Sequence, residues 1–249
     1  MNIPGLGRGK PPPTPGRIVA TYCIFNARDL IYDSLTSVAP FVDEIRVYDG
    51  RFTQYRCPPE APCGGIDHDN SCDGTLKEIE LWQREYPSPP QVMVRQWAVM
   101  NEASEKRTRM MADVPEGDVV LVIDDDELIF GDPLALRDFA ENKPAWFSYI
   151  DFLFQNAGHG TEAVIPLARV FVRTPGLKYE SYYRIHDDQG LVVDMKADNR
   201  MVPYGQRTGN RHYLPPSIRM VELAEFRMPH RTKQEHLYNT TIGKDSWRT

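Results

Sequence analysis

The 249-residue sequence has no apolar run long enough to cross a bilayer, and no charged start followed by an apolar core that would mark a signal peptide. It also has no excess of positive charge, since 29 lysine and arginine residues stand against 35 acidic ones and the formal net charge is −6. Bulk electrostatic capture of nucleic acid is therefore not expected. These absences predict a cytoplasmic protein with no transmembrane segment and no nucleic-acid partner.

Cysteine is scarce, with four residues in the chain, yet three of them lie close together in sequence at Cys57, Cys63 and Cys72. Disulfide bonds are the less favoured interpretation in a reducing compartment. A zinc site would need a fourth close ligand, and His68 is the only histidine nearby. Because the spacing differs from that of a zinc ribbon, the sequence disfavours a metal there and leaves the cluster without a role.

The composition itself is ordinary for a globular protein, with 41% hydrophobic and 26% charged residues. The length suits one sizeable α/β domain or two small ones. Residues 1–16 are rich in glycine and proline and are predicted to be a flexible leader. We predict a single domain over residues 17–249.

The first predicted elements favour a parallel sheet. Residues 18–24 form an apolar strand, Asn26 is expected to cap a helix that continues to Val38, and residues 42–48 form a second strand. This βαβ unit is right-handed and places both strand ends at the same edge of the sheet. Residues 51–73 lack periodicity and are predicted to be a surface loop over that edge, where open α/β sheets bind ligands.

Further along the chain, helical and strand patterns alternate. Clustered aromatic residues in the second half suit either a core or a cleft that stacks against sugar rings, and they are Tyr149, Phe152, Phe154, Tyr179, Tyr182 and Tyr183. Helices are predicted at residues 75–86, 101–112, from Asp132-Pro133 onward and at 232–241, strands at 91–95, 145–154, 164–173 and 190–195, and a loop at 203–216.

The most informative segment is the apolar run 119–123, which is followed directly by Asp124, Asp125, Asp126 and Glu127. The run predicts a strand buried on both faces. Carboxylates at such a strand end suit Mg²⁺ or Mn²⁺, which usually share their site with substrate phosphates. If the extended conformation continues, alternation places Asp124 and Asp126 on the same side of the chain. The alternative is an acidic turn that caps the next element.

Four segments carry a resemblance to a known family: 20–28, 47–50, 101–107 and 121–127. Their order and spacing resemble those of the GT-A nucleotide-sugar glycosyltransferases, most closely the family 2-like group. The last segment is similar to that family's metal motif, an apolar strand that runs into D-x-D-E. Ala27 departs from the pattern, since the family often has an acid there. The similarity covers residues 17–135 and fades afterwards.

The resemblance implies an α/β fold of the GT-A, Rossmann-like type, with a mixed, mainly parallel sheet flanked by helices and a β-rich, acceptor-side C-terminal half. Residues 17–131 would bind the nucleotide sugar and residues 132–249 the acceptor. The implied enzyme transfers a sugar from a UDP- or GDP-type nucleoside-diphosphate sugar to a carbohydrate or other hydroxyl acceptor, by an inverting single displacement.

The resemblance also implies roles for particular residues. Lys106 and Arg107 would neutralise phosphate or contact the base, although a solvated helix face is the alternative. An acceptor hydroxyl needs a general base, for which Asp187 is preferred over Asp151 and Glu180. Donor binding is assigned to Thr21, Asn26, Asp49, Lys106, Arg107 and Asp124. The metal, Mn²⁺ or Mg²⁺, is assigned to Asp124, Asp126 and His230, with His186 and His212 as alternatives to His230.

Two other classes of protein share parts of this pattern. A nucleotidyltransferase acting on sugar phosphates has the sheet and the acidic site, but it usually carries a glycine-rich loop after its first strand, and residues 25–28 lack those glycines. A non-catalytic Ca²⁺-dependent carbohydrate-binding module is mostly antiparallel, unlike the predicted βαβ start. The sequence does not determine the sugar, the base or the acceptor.

Overall fold

The computed structural model describes residues 16–53, 55–100, 103–143, 147–156, 161–181, 184–186, 192–194 and 213–223. The described strands are β1 (Ile18–Ile24), β2 (Glu44–Asp49), β3 (Gln91–Gln96), β4 (Val119–Ile123), β5 (Glu127–Gly131), β6 (Phe147–Asn156), β7 (Thr161–Val172), β8 (Lys178–Ser181), β9 (Arg184–His186), β10 (Val192–Asp194) and β11 (Ile218–Glu222). The described helices are α1 (Ile31–Val38), α2 (Thr75–Glu85), α3 (Ala103–Asp113) and α4 (Pro133–Asn142), with a short 3-10 helix at Ala39–Phe41. No helix in these ranges has the length and apolar character that a membrane span requires.

The main sheet has eight strands in the order β3-β2-β1-β4-β7-β6-β11-β5. Strands β3, β2, β1 and β4 are parallel to one another. Strand β7 is antiparallel to both β4 and β6, and β11 is parallel to β6 and antiparallel to β5. Strands β8, β9 and β10 form a second, antiparallel sheet. The predicted α/β class is confirmed: a large, mostly parallel sheet is flanked by helices, and many strands lie in the second half.

Strand β4 lies inside the sheet, with all five residues buried. Val119, Leu121 and Ile123 belong to a core shared with α1, α2 and α4. Val120 and Val122 belong to a second core shared with α3, β6, β7 and β8. The alternation of a strand explains this division, because successive side chains point to opposite faces. The prediction of a strand buried on both faces is confirmed.

The prediction that Asn26 caps the first helix is wrong. Helix α1 begins at Ile31, and no side chain caps its N-terminus. Asn26 has a positive φ of 54°, and its side-chain oxygen accepts a hydrogen bond from the backbone N–H of Cys72 at 3.0 Å. Because this side chain is bonded to the loop that precedes α2, it is not available to the helix N-terminus.

The other predicted elements within the described ranges are present, with ends shifted by a few residues. Asp132 caps α4 as predicted, since its side chain accepts a hydrogen bond from the backbone N–H of Leu134 at 2.9 Å. Strands β5, β8, β9 and β11 are absent from the prediction because three to five residues give too short a pattern. Residues 51–73 form the predicted loop, although parts of it are buried.

The aromatic residues of the second half belong to the core wherever their side chains are described. Tyr149, Phe152 and Tyr179 are buried, so the core interpretation is confirmed for them. The side chains of Phe154, Tyr182 and Tyr183 lie outside the described residues, as does the predicted helix at 232–241.

Gly131 ends β5 with a φ of 112°, and an alanine methyl there would lie 1.7 Å from the backbone oxygen of Ser217. We expect Gly131→Ala to lower the free energy of unfolding by about 3 kcal/mol, because a left-handed conformation and a backbone clash combine. Denaturant unfolding measures the loss. Gly117→Ala is the matched control: its φ is 86°, but its methyl meets no described atom within 4 Å. Equal losses in the two variants would contradict the clash.

Candidate functional site

The candidate site lies at the C-terminal edge of the parallel strands. The chain passes from β1 through α1 to β2 on one side, while β4 pairs with β1 on the other side. Such a switch point forms the crevice in which open α/β sheets bind ligands. Asn26 follows β1, Asp49 ends β2, and the acidic run 124–127 follows β4. The fold therefore brings three of the predicted segments to one edge.

Lys106 on α3 links two of these strand ends. Its side chain is 1% exposed and donates hydrogen bonds to the backbone oxygens of Ile24 at 3.0 Å and Gly50 at 2.6 Å. Burial lowers the pKa of Lys106, while the carboxylate of Asp49 opposes that shift. The solvated-face alternative is wrong for Lys106, since the ammonium group is buried and bonded to backbone.

We expect Lys106→Met to lower the free energy of unfolding by about 2 kcal/mol, because two buried carbonyl groups lose their donor while the aliphatic volume is kept. Arg109→Met on the same helix is the control. Its side chain is 60% exposed and pairs with Glu105, so Arg109→Met should lower the free energy of unfolding by less than about 0.5 kcal/mol. Thermal and denaturant unfolding of both variants measure the difference. An equal effect would show that the backbone contacts of Lys106 add nothing.

Arg107, the next residue, holds the first acid of the run. Its Nη2 lies 2.7 Å and 2.9 Å from the two carboxylate oxygens of Asp124, and Nη2 of Arg169 lies 3.4 Å from Oδ2. Both arginines are buried. Burial raises the pKa of Asp124, but the positive charges of Arg107 and Arg169 outweigh it and lower that pKa to about 2. Asp124 is therefore ionised and fixed in position.

Glu127, the last acid of the run, is also part of this network. Its carboxylate accepts hydrogen bonds from Arg169 and from the backbone N–H of Asp124, the latter at 2.9 Å. Burial raises the pKa of Glu127 well above its ordinary value; Arg169 opposes this, and the carboxylates of Asp124 and Asp126 add to it. Sequence reasoning missed Arg169, although a single arginine within the apolar segment Ala168-Arg169-Val170 was a signal for a buried charge.

The expectation that strand alternation makes Asp124 and Asp126 converge is wrong. Strand β4 ends at Ile123, and the backbone oxygen of Asp124 accepts a hydrogen bond from the N–H of Glu127 at 3.1 Å. The acids thus form a turn between β4 and β5, whereas the alternative of a turn that caps the next element stays a prediction. The turn keeps Asp126 at the sheet edge, where its side chain is 2% exposed.

The donor set of this turn fits a hard divalent cation, which prefers carboxylate oxygens. Among the described residues, the acids do not form a group of three ligand atoms within 4.8 Å of one another. Mg²⁺ commonly uses one or two carboxylates and completes its shell with water and substrate phosphates. One or two ligands from this turn are consistent with that pattern.

Asp49 lies beneath the loop 51–73. It is 0% exposed, and its carboxylate accepts hydrogen bonds from the backbone N–H of Ser71 at 3.1 Å and from its hydroxyl at 2.6 Å. Burial raises the pKa of Asp49, and the hydrogen bonds from Ser71 oppose the shift. The predicted contact of Asp49 with a nucleotide base stays a prediction.

The remaining predicted residues are dispersed. Thr21 is buried in the middle of β1, opposite Arg46 of β2 and Val122 of β4, three residues before the strand ends. Of the alternative bases, Asp151 is buried in β6 and Glu180 is exposed in β8, while the alternative ligand His186 is half-buried at the end of β9. Asp187, His212 and His230 lie outside the described residues.

Comparison with known proteins finds a likeness among solved structures and none among family models or curated proteins. Among solved structures, the chain is similar to S. aureus TarS 1–349, with 15% sequence identity and a TM-score of 0.41. The likeness covers 91% of this chain and 65% of the TarS chain, so it leaves about a third of that chain unmatched.

Proposed function

We propose that the chain is a metal-dependent glycosyltransferase that moves a sugar from a nucleoside-diphosphate sugar to a hydroxyl acceptor. The observation that carries the proposal is the position of the acidic run 124–127. It follows β4 at the switch point of an open α/β sheet, beside the end of β1. Residues 121–127 resemble the GT-A metal motif, and this resemblance supports metal binding at this position.

The proposed metal ligands are Asp126 and, as a second carboxylate, Asp124. A bound Mn²⁺ or Mg²⁺ would stabilise the diphosphate leaving group electrostatically. Arg107 and Arg169 keep the carboxylate of Asp124 ionised and oriented, which suits either a metal ligand or a contact with the ribose of the donor. Lys106 holds the ends of β1 and β2 together behind this site.

We propose that the nucleotide base of the donor binds near Asp49. The carboxylate of Asp49 accepts hydrogen bonds from Ser71, so Asp49 would orient this loop residue against the nucleotide base of the donor. The proposed donor is a UDP sugar or a GDP sugar. His230 is proposed as a further metal ligand.

An inverting displacement needs a general base that deprotonates the acceptor hydroxyl, and we propose Asp187 for this role. Asp187 follows β9 directly in sequence. The neighbouring strand β8 passes the acidic network, since the guanidinium carbon of Arg107 lies 5.8 Å from the ring centroid of Tyr179. Strand β9 pairs with β8, which supports an acceptor near this small sheet.

Thermal unfolding with ligands tests the proposal. A nucleoside diphosphate and Mn²⁺ together at about a hundred times the dissociation constant should add about 2.7 kcal/mol, or about 5–10 °C in Tm. Either ligand alone should do less. A panel of UDP and GDP sugars should then show slow metal-dependent hydrolysis of one donor.

Three outcomes would overturn the proposal. Stabilisation by free sugar with Ca²⁺, and not by nucleotide with Mn²⁺, would indicate a carbohydrate-binding module. Release of pyrophosphate from a nucleoside triphosphate and a sugar phosphate would indicate a nucleotidyltransferase. Full donor turnover in the presence of EDTA would show that the reaction needs no metal ion.

A further inference from the structure

The loop 51–73 brings three thiols into one cluster, none of which belongs to the acidic run. The sulfur atoms of Cys57, Cys63 and Cys72 all lie within 4.8 Å of one another, and all three cysteines are free. Zinc bound tetrahedrally at about 2.3 Å from each sulfur would place the sulfurs about 3.8 Å apart. A closing movement of about 1 Å or less would therefore convert the cluster into three ligands of one ion.

The backbone around two of these cysteines is fixed by hydrogen bonds. The N–H of Cys57 donates to the carboxylate of Asp67 at 3.0 Å, and the N–H of Cys72 donates to the side-chain oxygen of Asn26 at 3.0 Å. The cluster is thus held in place before any ion arrives.

The side chain of Asn26 contacts two of the sulfurs. Its side-chain nitrogen is 3.9 Å from the sulfur of Cys57, and its side-chain oxygen is 3.7 Å from that of Cys72. The amide N–H of Asn26 donates to the sulfur of Cys57, a contact that suits a thiolate and orients it as a metal ligand. At Cys72 the thiol is the donor, so that contact is lost when the thiolate forms. The contacts also give a reason for the left-handed conformation of Asn26, which turns its side chain toward the cluster.

We propose that Cys57, Cys63 and Cys72 bind a zinc ion that fixes the loop 51–73 over the C-terminal edge of the sheet. Thiolate ligands favour zinc over the hard cations that suit the acidic run. Among the described residues, no histidine, aspartate or glutamate joins the three sulfurs at this spacing, so the proposed protein ligands are the three thiolates alone. The zinc site stands whether or not the chain transfers sugar.

Zinc content of the purified protein is the first test. Protein prepared without chelator in zinc-containing medium should carry about one zinc per chain by mass spectrometry of the metal. Cys63→Ser should lose most of it. Cys23→Ser is the matched control, because Cys23 is also half-buried but lies outside the cluster. Far-UV circular dichroism checks that both variants are folded.

A second measurement uses the wild-type chain and so does not depend on how a variant folds. Chelator-treated protein titrated with Co²⁺ should show thiolate-to-cobalt charge transfer and intense visible bands of tetrahedral cobalt, with an end point near about one equivalent. Zinc should then displace the cobalt. Proteolysis within residues 51–73 should be faster in the metal-free protein than in the zinc-bound protein.

Three results would overturn the zinc site. Cys63→Ser that carries as much zinc as the wild type would place the ion elsewhere. A cobalt spectrum without a thiolate band would exclude the sulfurs as ligands. A disulfide between two of the three cysteines in protein purified without reductant would replace the metal by a redox pair. None of these results decides whether the acidic run binds a metal ion and a nucleotide sugar, so the glycosyltransferase proposal is tested separately.

Discussion

Arg169→Met is expected to lower the free energy of unfolding by about 3–5 kcal/mol, because it removes a positive charge that two buried carboxylates share. Arg169 contacts both Asp124 and Glu127, and all three side chains are at least largely buried. Methionine keeps much of the aliphatic volume, so the loss reports mainly the charge and the hydrogen bonds. Denaturant unfolding at neutral pH measures it.

Arg137→Met is the control for this variant. Arg137 also pairs with a carboxylate, that of Asp43, but both side chains are about a third exposed. A pair so screened by solvent should contribute less than about 1 kcal/mol. Adding Glu127→Gln to Arg169→Met should recover part of the loss, since one buried charge disappears with its partner. If Arg169→Met were no worse than Arg137→Met, the network would not be the source of stability.

Asp126→Asn is expected to reduce sugar transfer by about a hundredfold or more at saturating donor, the usual effect of removing one electrostatic group that stabilises a transition state. Asparagine keeps the volume of this buried side chain, so the free energy of unfolding should change by about 1 kcal/mol or less. The comparison requires the transfer rate, the dependence of that rate on Mn²⁺ and the unfolding curve of the same variant.

Asp125→Asn, in the same turn, serves as the control for Asp126→Asn. Asp125 occupies the middle position of the D-x-D pattern, where the family resemblance assigns no ligand. This variant should keep most of the transfer rate. If Asp126→Asn transferred sugar at the wild-type rate in the presence of EDTA, neither a metal nor Asp126 would be needed for transfer. A large loss in the free energy of unfolding would instead show that Asp126 is a structural residue.

The sequence predicted those elements whose signal is local. The buried strand β4 follows from five consecutive apolar residues, and the start of α4 follows from Asp132 and Pro133. The parallel pairing of β1 with β2 follows from the βαβ order. The helix start at Asn26 failed because the same side chain had a competing partner, the backbone of Cys72, 46 residues away in sequence.

The candidate site could be predicted only in part. The sequence predicted that carboxylates gather where β4 ends, because strand ends and polarity are local properties. It could not predict that Lys106 is bonded to two strand ends, since that needs the packing of α3 against residues 24 and 50. Arg169 likewise reaches the acids from β7, which pairs with β4 through the antiparallel half of the sheet.

The sequence by itself therefore determined the α/β class, the order of the first strands and the acidic end of β4, because each depends on runs and periodicities of neighbouring residues. Only the tertiary structure decided which arginine pairs with which carboxylate and which cysteine sulfurs lie close together. Cys57, Cys63 and Cys72 have spacings that match no zinc ribbon, yet their sulfurs come together because the loop folds back onto Asn26 and Asp49. Contacts between residues far apart in sequence depend on how the chain packs, and local patterns carry no information about that packing.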